Sequence, residues 1–379
     1  MANVLTDLAA DIYKAADTVG RELVGFIPSV TINAGSEEAA QGDTVRSHFT
    51  RAATVNTSVT PSMTIPEGDD QTVDNKTMAV SQIGSVQIPW TGEDIKHVNN
   101  GSGYETVYGD QIAQAFRGIV NAIETHVATV SYQAASRAVG TAGTTPFASN
   151  HNIVNEARQI IVDNGMPTDD LSLVMNTSAG VNFRNLSNLY KVNEAGTTAL
   201  LNQGVLLDIS GIKMRESGQV QAHTKGTGTG YLLNDASSAI GDTSIATDTG
   251  SGTIIAGDVV TFAGTTDKYV VNTALSGGSF AIGGPGLRAA ESDNDAITVG
   301  NDFTANALVS RRCVELVMRP LEKPMGGDAA VDEMIVQDPH SGLVFRISVY
   351  KGYNKAMIDI TTLYQAKVWK SDGVAIVLG

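Results

Sequence analysis

From Ile112 onward, apolar residues recur at steps of three and four. Phe116, Ile119, Ile123, Val127, Val130 and Ala134 fall on one stripe when each residue advances by about 100°. Gln114, Arg117, Asn121 and Glu124 point the other way. Ser102 and Glu105 stand at capping-box spacing, and Gly140 and Gly143 mark the far end. The spacing predicts one helix over 102–139, roughly 35 residues and about 50 Å long, some three times an ordinary globular helix. Arg117, Glu124 and His126 leave no apolar window of membrane-spanning length. A one-sided stripe packs on a single neighbouring layer, either as a long surface helix or as a rigid spine on which flat layers are hung.

The rest of the chain sorts by its own periods. Leu5, Leu8, Ile12, Ala16, Val19 and Leu23 predict an amphipathic helix within 3–27, closed by Pro28. Over 44–88, Thr, Ser, Asn and Asp alternate with isolated apolar residues at Val55, Val59, Met63, Ile65, Val73, Met78 and Val80. Pro61, Pro66 and the acidic turn Glu67-Gly68-Asp69-Asp70 interrupt them, which predicts two extended arms of a long hairpin. Such a hairpin is too sparsely apolar to make a core and needs a partner surface. Val86, Ile88 and Trp90 continue as a strand toward the long helix. Over 150–217 the pattern alternates helix and strand: a helix from Asn152 to Asn164, a buried strand Leu171 to Met175, a helix capped by Thr177 or Ser178 and carrying Val181, Leu186 and Leu189, and a strand within 204–217 with a turn at Gly211.

At Lys225 the helical period stops. Between Gly226 and Gly300 short apolar runs at Ile254-Ile255, Val259–Phe262, Tyr269–Val271, Phe280–Ile282 and Ala296–Val299 lie between glycine turns, predicting a small inserted β-barrel. From Ala307 the chain alternates as strands again, through Val314, Leu316 and Met318, then Phe345, Ile347 and Val349, then Ile358 and Ile360, ending on Val374 to Leu378. The fold class is α+β.

Composition narrows the function classes. The 379 residues carry 25 Lys+Arg against 40 Asp+Glu, a formal net charge of −15, which argues against a surface dedicated to gripping nucleic acid. The single cysteine, Cys313, excludes internal disulfides and fits a reducing compartment. No basic segment precedes an apolar run near Met1, so no secretory signal is expected, and Asn56-Thr57-Ser58 reads as a chance sequon. The histidines, at 48, 97, 126, 151, 223 and 340, are too scattered for zinc spacing. Gly226-Thr-Gly-Thr-Gly230 lacks the spacing of a phosphate loop. Asp293-Asn294-Asp295 lacks the glycine and distal glutamate of a calcium loop. Glu37-Glu38 and Glu93-Asp94 sit beside turns and read as solvated pairs. No catalytic residue, metal or cofactor is expected.

Three blocks then carry a resemblance. They are Leu5–Tyr13 (LTDLAADIY) with Glu22–Val30 (ELVGFIPSV); Gly204–Ser217 (GVLLDISGIKMRES) with His223–Gly228 (HTKGTG); and Leu316–Glu322 (LVMRPLE) with Asp338–Leu343 (DPHSGL) and Leu363-Tyr364. In these the sequence resembles the major capsid (coat) proteins of tailed double-stranded-DNA bacteriophages, in the podovirus branch whose coat protein carries an insertion domain. The resemblance implies a Hong Kong 97-type fold: an N-terminal arm at 1–43, an extended E-loop at 44–80, and a peripheral domain at 81–149 containing the spine helix 102–139. It further implies an axial domain at 150–225, the β-rich insertion at 226–303, and strands of both axial and peripheral domains at 304–379.

The implied role is that of a non-enzymatic shell subunit, forming pentamers and hexamers of an icosahedral head around packaged double-stranded DNA, with no membrane partner. A separate scaffolding protein and a portal are the implied partners, and the virion, assembled in the host bacterial cytoplasm, is the implied location. An acidic lining suits such a shell, since a basic one would trap the DNA by counterion release. The contact residues expected between subunits are Val59, Met63, Ile65, Glu67, Asp69, Asp70 and Val73 on the hairpin. Two alternatives stay open. One is the shell of a bacterial nanocompartment, which encloses cargo protein instead of DNA. The other is a secreted β-rich adhesin or polysaccharide-active protein, which wants a signal peptide or paired catalytic carboxylates.

Overall fold

The computed structural model describes residues 25–50, 60–65, 73–99, 104–191, 208–235, 238–338 and 341–379, with positions 58, 204 and 206. One six-stranded sheet takes the order Thr31–Ala34, Val314–Arg319, Lys355–Val368, Val344–Gly352, Ala330–Gln337, and Gln82–Thr91 also pairs with Lys355–Val368. Phe345, Ile347 and Val349 step by two and are buried, as the pleat requires. A second sheet is built around Phe303–Ser310, which runs antiparallel between Val374–Leu378 and Leu171–Met175. Those two flanking strands are almost wholly apolar and buried throughout, the mark of strands covered on both faces. Each also takes a parallel neighbour, Arg137–Gly140 and Ile212–Glu216 respectively.

The period of two divides these strands between two cores. Ala307, Val309, Val374, Ile376 and Leu378 face the long helix Tyr104–Gln133. Leu308, Ala375 and Val377 face the helix Asn152–Asp163 with its Val154, Ala157, Ile160 and Ile161. The long helix reaches both sheets: Ile112, Phe116, Ile119, Ile123 and Val127 are all buried, and Phe116 meets Phe345 edge-on with ring centres 5.1 Å apart.

Beyond Arg137–Gly140, the strands Lys268–Ser276, Ser279–Ile282, Ser244–Asp248, Tyr231–Leu233, Ala296–Val299 and Val259–Phe262 pair in that order, and the last pairs back to the first. This ring encloses its own core, with Tyr231, Leu233, Ile245, Val260, Phe262, Tyr269, Phe280 and Ile297 among its buried residues. It is continuous with the second sheet through Lys268 and Tyr269, which sit opposite Ala138 and Arg137.

Several sequence expectations are corrected by non-local contacts. The long helix ends at Gln133, short of Val139. Ser136 donates from both its N–H and its hydroxyl to the Val374 carbonyl, each at 2.9 Å, and Arg137–Gly140 becomes a strand. Glu124 does not point to solvent; it is fully buried. Ile254-Ile255 is no strand: Ile254 is a core residue and the Ile255 N–H donates to Asp258 Oδ2 at 2.8 Å. The cap before Thr177–Arg184 is Asn176, whose side chain accepts from the Ala179 N–H, and Val181 is exposed. Ser102 and the predicted helix before Gly25 lie outside the described residues.

Candidate assembly surface

The hairpin begins as Thr44–Thr50 paired antiparallel with Val73–Ala79, Thr44 opposite Ala79 and Thr50 opposite Val73. Its root is fixed to the body of the molecule. Met78 and Val80 are buried against Val317 and Leu363 of the six-stranded sheet. Lys76 Nζ donates to the Trp369 carbonyl at 2.7 Å, and Lys367 Nζ to the Thr77 carbonyl at 2.5 Å. Burial, with Lys76 close by, pushes the Lys367 ammonium below its usual range. The Gly42 N–H to Val80 carbonyl bond at 2.8 Å and the Val80 N–H to Asp43 carbonyl bond at 2.9 Å close the root.

Farther out the environment is reversed. Every described position from 58 to 65 is exposed, and the side chains of Met63 and Ile65 are open to solvent over essentially their whole area. Two large apolar side chains with no cover from their own chain make a surface suited to a partner. Of the expected contact residues, Met63 and Ile65 sit on this exposed stretch, and Val73 begins the returning strand. Val59, Glu67, Asp69 and Asp70 lie outside the described residues.

Elsewhere the buried polar groups hold elements together. Asp258 is fully buried and accepts from His223 Nε2 at 2.8 Å, from the Gly226 N–H at 3.0 Å and from the Ile255 N–H. Across the imidazole, Nδ1 lies 3.4 Å from the Tyr132 hydroxyl. Burial pushes the Tyr132 phenol up, with a smaller push from Asp258. The Gly226–Gly230 loop thus spends its first N–H on a carboxylate of the chain itself. A second network links the ring to the second sheet: Arg288 and Arg137 both reach Asp163, Arg137 at 3.9 Å, and Arg137 also lies 3.6 Å from Asp267. Burial, with Arg288 nearby, pushes the Arg137 guanidinium down. His223 and Asp258, Tyr132 and His223, and Arg288 and Asp163 are far apart in sequence, so spacing carried no signal for them. Cys313 is buried, and burial pushes its thiol up. Among the described residues no group of three or more His, Cys, Asp or Glu is placed to hold a metal ion, and no helix is long and apolar enough to cross a membrane.

No protein-family model matches the chain, and no curated protein does. Similarity lies in solved structures. A chain in the capsid structure of cyanophage P-SCSP1u is 11% identical, with a TM-score of 0.53 over 94% of this chain and 88% of that one. A chain of Mycobacterium phage Che8 is 12% identical, with a TM-score of 0.49 over 89% and 84%. One of the virus-like particle from Pyrococcus furiosus is 4% identical, with a TM-score of 0.48 over 98% and 100%. The chain shares its fold, along nearly its whole length, with the capsid chain of cyanophage P-SCSP1u.

Proposed function

We propose that this chain is the major capsid subunit of a tailed double-stranded-DNA bacteriophage, a structural protein without catalytic chemistry. It assembles with copies of itself as pentamers and hexamers into an icosahedral head, in the virion, after assembly in the host bacterial cytoplasm. A scaffolding protein and a portal are separate partners, and the enclosed DNA is held without sequence-specific contacts. The fold is of the Hong Kong 97 type: the long helix is the spine, the hairpin from Thr44 to Ala79 is the E-loop, and the closed six-strand ring is an inserted β-barrel. The observation that carries the reading is the fold shared with the cyanophage capsid chain over 94% of this one. The net charge of −15 supports it, because an acidic interior leaves packaged DNA free to slide.

The contact surface between subunits is the outer hairpin, with Val59, Met63, Ile65, Glu67, Asp69, Asp70 and Val73. The bare Met63 and Ile65 support this assignment, since a neighbouring subunit in closed symmetry is always present to cover them. Negative-stain microscopy of the purified protein at high concentration is the test. Uniform polyhedral shells or tubes are expected. Monomers alone under those conditions overturn the reading, and shells purified from cells with protein cargo instead of DNA redirect it to a nanocompartment.

A further inference from the structure

Glu124 lies in the middle of the long helix with no exposed surface, yet its carboxylate is saturated with donors. Oε1 accepts from the Gly25 N–H at 2.7 Å, the Phe26 N–H at 2.6 Å and the Ser217 hydroxyl at 2.9 Å, and Oε2 accepts from the Ile27 N–H at 2.9 Å. Three successive backbone N–H groups converging on one anion form a nest, an arrangement more familiar around bound phosphate. Here the anion comes from the chain itself, some hundred residues away in sequence.

The surroundings make the fit specific. Phe26, Ile27 and Val30 are buried in the core beside it, and the Ser29 hydroxyl donates to the Gly25 carbonyl at 2.6 Å, closing the turn. A Cβ on Gly25 would lie 2.5 Å from Val174 Cγ1 and 3.0 Å from Ser217 Cβ, so the backbone can approach only because that residue is glycine. Burial pushes the half-buried Arg215 guanidinium below its usual range, opposed first by Asp208 and more weakly by Glu124. A buried carboxylate is costly unless all its lone pairs are used, and a lone apolar side chain would serve the core as well. The anion is needed for what it holds.

We propose that Glu124 is the positioning residue for the N-terminal arm. Its carboxylate grips residues 25–27 against the spine and so fixes the point at which the arm joins the body of the subunit. A loosened anchor should then disturb assembly, and this assembly half of the inference rests on the function proposed above. Glu124→Gln puts an amide N–H where N–H donors converge and removes the charge that strengthens the four bonds.

Hydrogen exchange on the full chain reads the grip directly. In Glu124→Gln the amides of residues 25–27 should lose roughly 100-fold in protection, while those of residues 116–123 keep theirs to within about threefold. Ser217→Ala, which removes one donor of four, should give a smaller loss at the same amides. Sedimentation of Glu124→Gln should show irregular or incomplete particles, and Glu124→Asp, which keeps the charge, should recover part of both properties. Unchanged protection at 25–27 overturns the inference, as do normal shells from a variant whose grip is lost. Protection lost throughout the chain in both Glu124→Gln and Ser217→Ala overturns it too, since the carboxylate is then a general prop of the core. If the unmodified chain forms no shells, the proposed function falls, while the exchange pattern still decides the grip.

Discussion

Ile123 is fully buried on the long helix, and Asn121, two residues earlier, is partly exposed on another face. Ile123→Asp places an unpaired carboxylate among Phe116, Ile119 and Val127 and should cost more than about 3 kcal/mol, seen as loss of soluble folded protein or a large drop in Tm. Asn121→Asp should move Tm by no more than a few degrees. Equal behaviour of the two would show that the packed face is misassigned. Glycines separate in the same way. A Cβ on Gly226 would stand 2.2 Å from the Thr253 carbonyl oxygen and 2.8 Å from Asp258 Oδ2, whereas one on Gly218 meets nothing within 4 Å. Gly226→Ala should therefore destabilise by about 1–3 kcal/mol and Gly218→Ala by less than about 0.5, measured by urea unfolding.

At the scale of elements, what could be read from the sequence was what depends on neighbours along the chain. The stripe from Ile112 to Val127 announced the long helix, the run Leu171–Met175 announced a buried strand, and the sparse alternation from Val55 to Val80 announced a hairpin short of core. Contacts made across the fold left no local trace. Ser136 leaves the helix because Val374, more than two hundred residues later, offers a strand edge. Glu124 looked solvent-facing because its donors belong to Gly25, Phe26 and Ile27. The strands Tyr231–Leu233 and Ser244–Asp248 were hidden by their brevity and by threonine, serine and aspartate, although both complete the ring. That ring has its own buried core; it is attached through the pairing with Arg137–Gly140, the ion pairs of Arg288 and Arg137, the bond between His223 and Asp258, and Val259 and Val270, which pack into the core around the long helix. Residues 226–303 expressed alone should therefore fold into a soluble β-rich unit. Dispersed amide shifts are the expected result; random-coil shifts under native conditions would show that the pairing with Arg137–Gly140 is indispensable.

At the scale of the whole molecule, the hairpin is the part whose described outer residues, 58 and 60–65, add nothing to their own chain's core. Its root is well fixed, by Met78 and Val80 against Val317 and Leu363 and by Lys76 and Lys367 to backbone carbonyls. Its described outer residues bury nothing, and Met63 and Ile65 stand bare. Shortening the hairpin therefore should not disturb the subunit. Replacing residues 58–74 with a Gly-Ser turn leaves most of the antiparallel root, and circular dichroism and Tm should stay close to those of the unmodified chain. Under the proposed function the same hairpin recurs at every subunit boundary, so a contact of about 1–2 kcal/mol per copy is multiplied by symmetry into a condition for closure. Assembly should then fail while folding survives. Sedimentation velocity of the two proteins side by side, under conditions where the unmodified chain forms shells, reads the difference: a slow monomer or small oligomer is expected from the shortened chain. Shells of normal size from it would show that the subunits are held together elsewhere and that the hairpin is not the clamp between them.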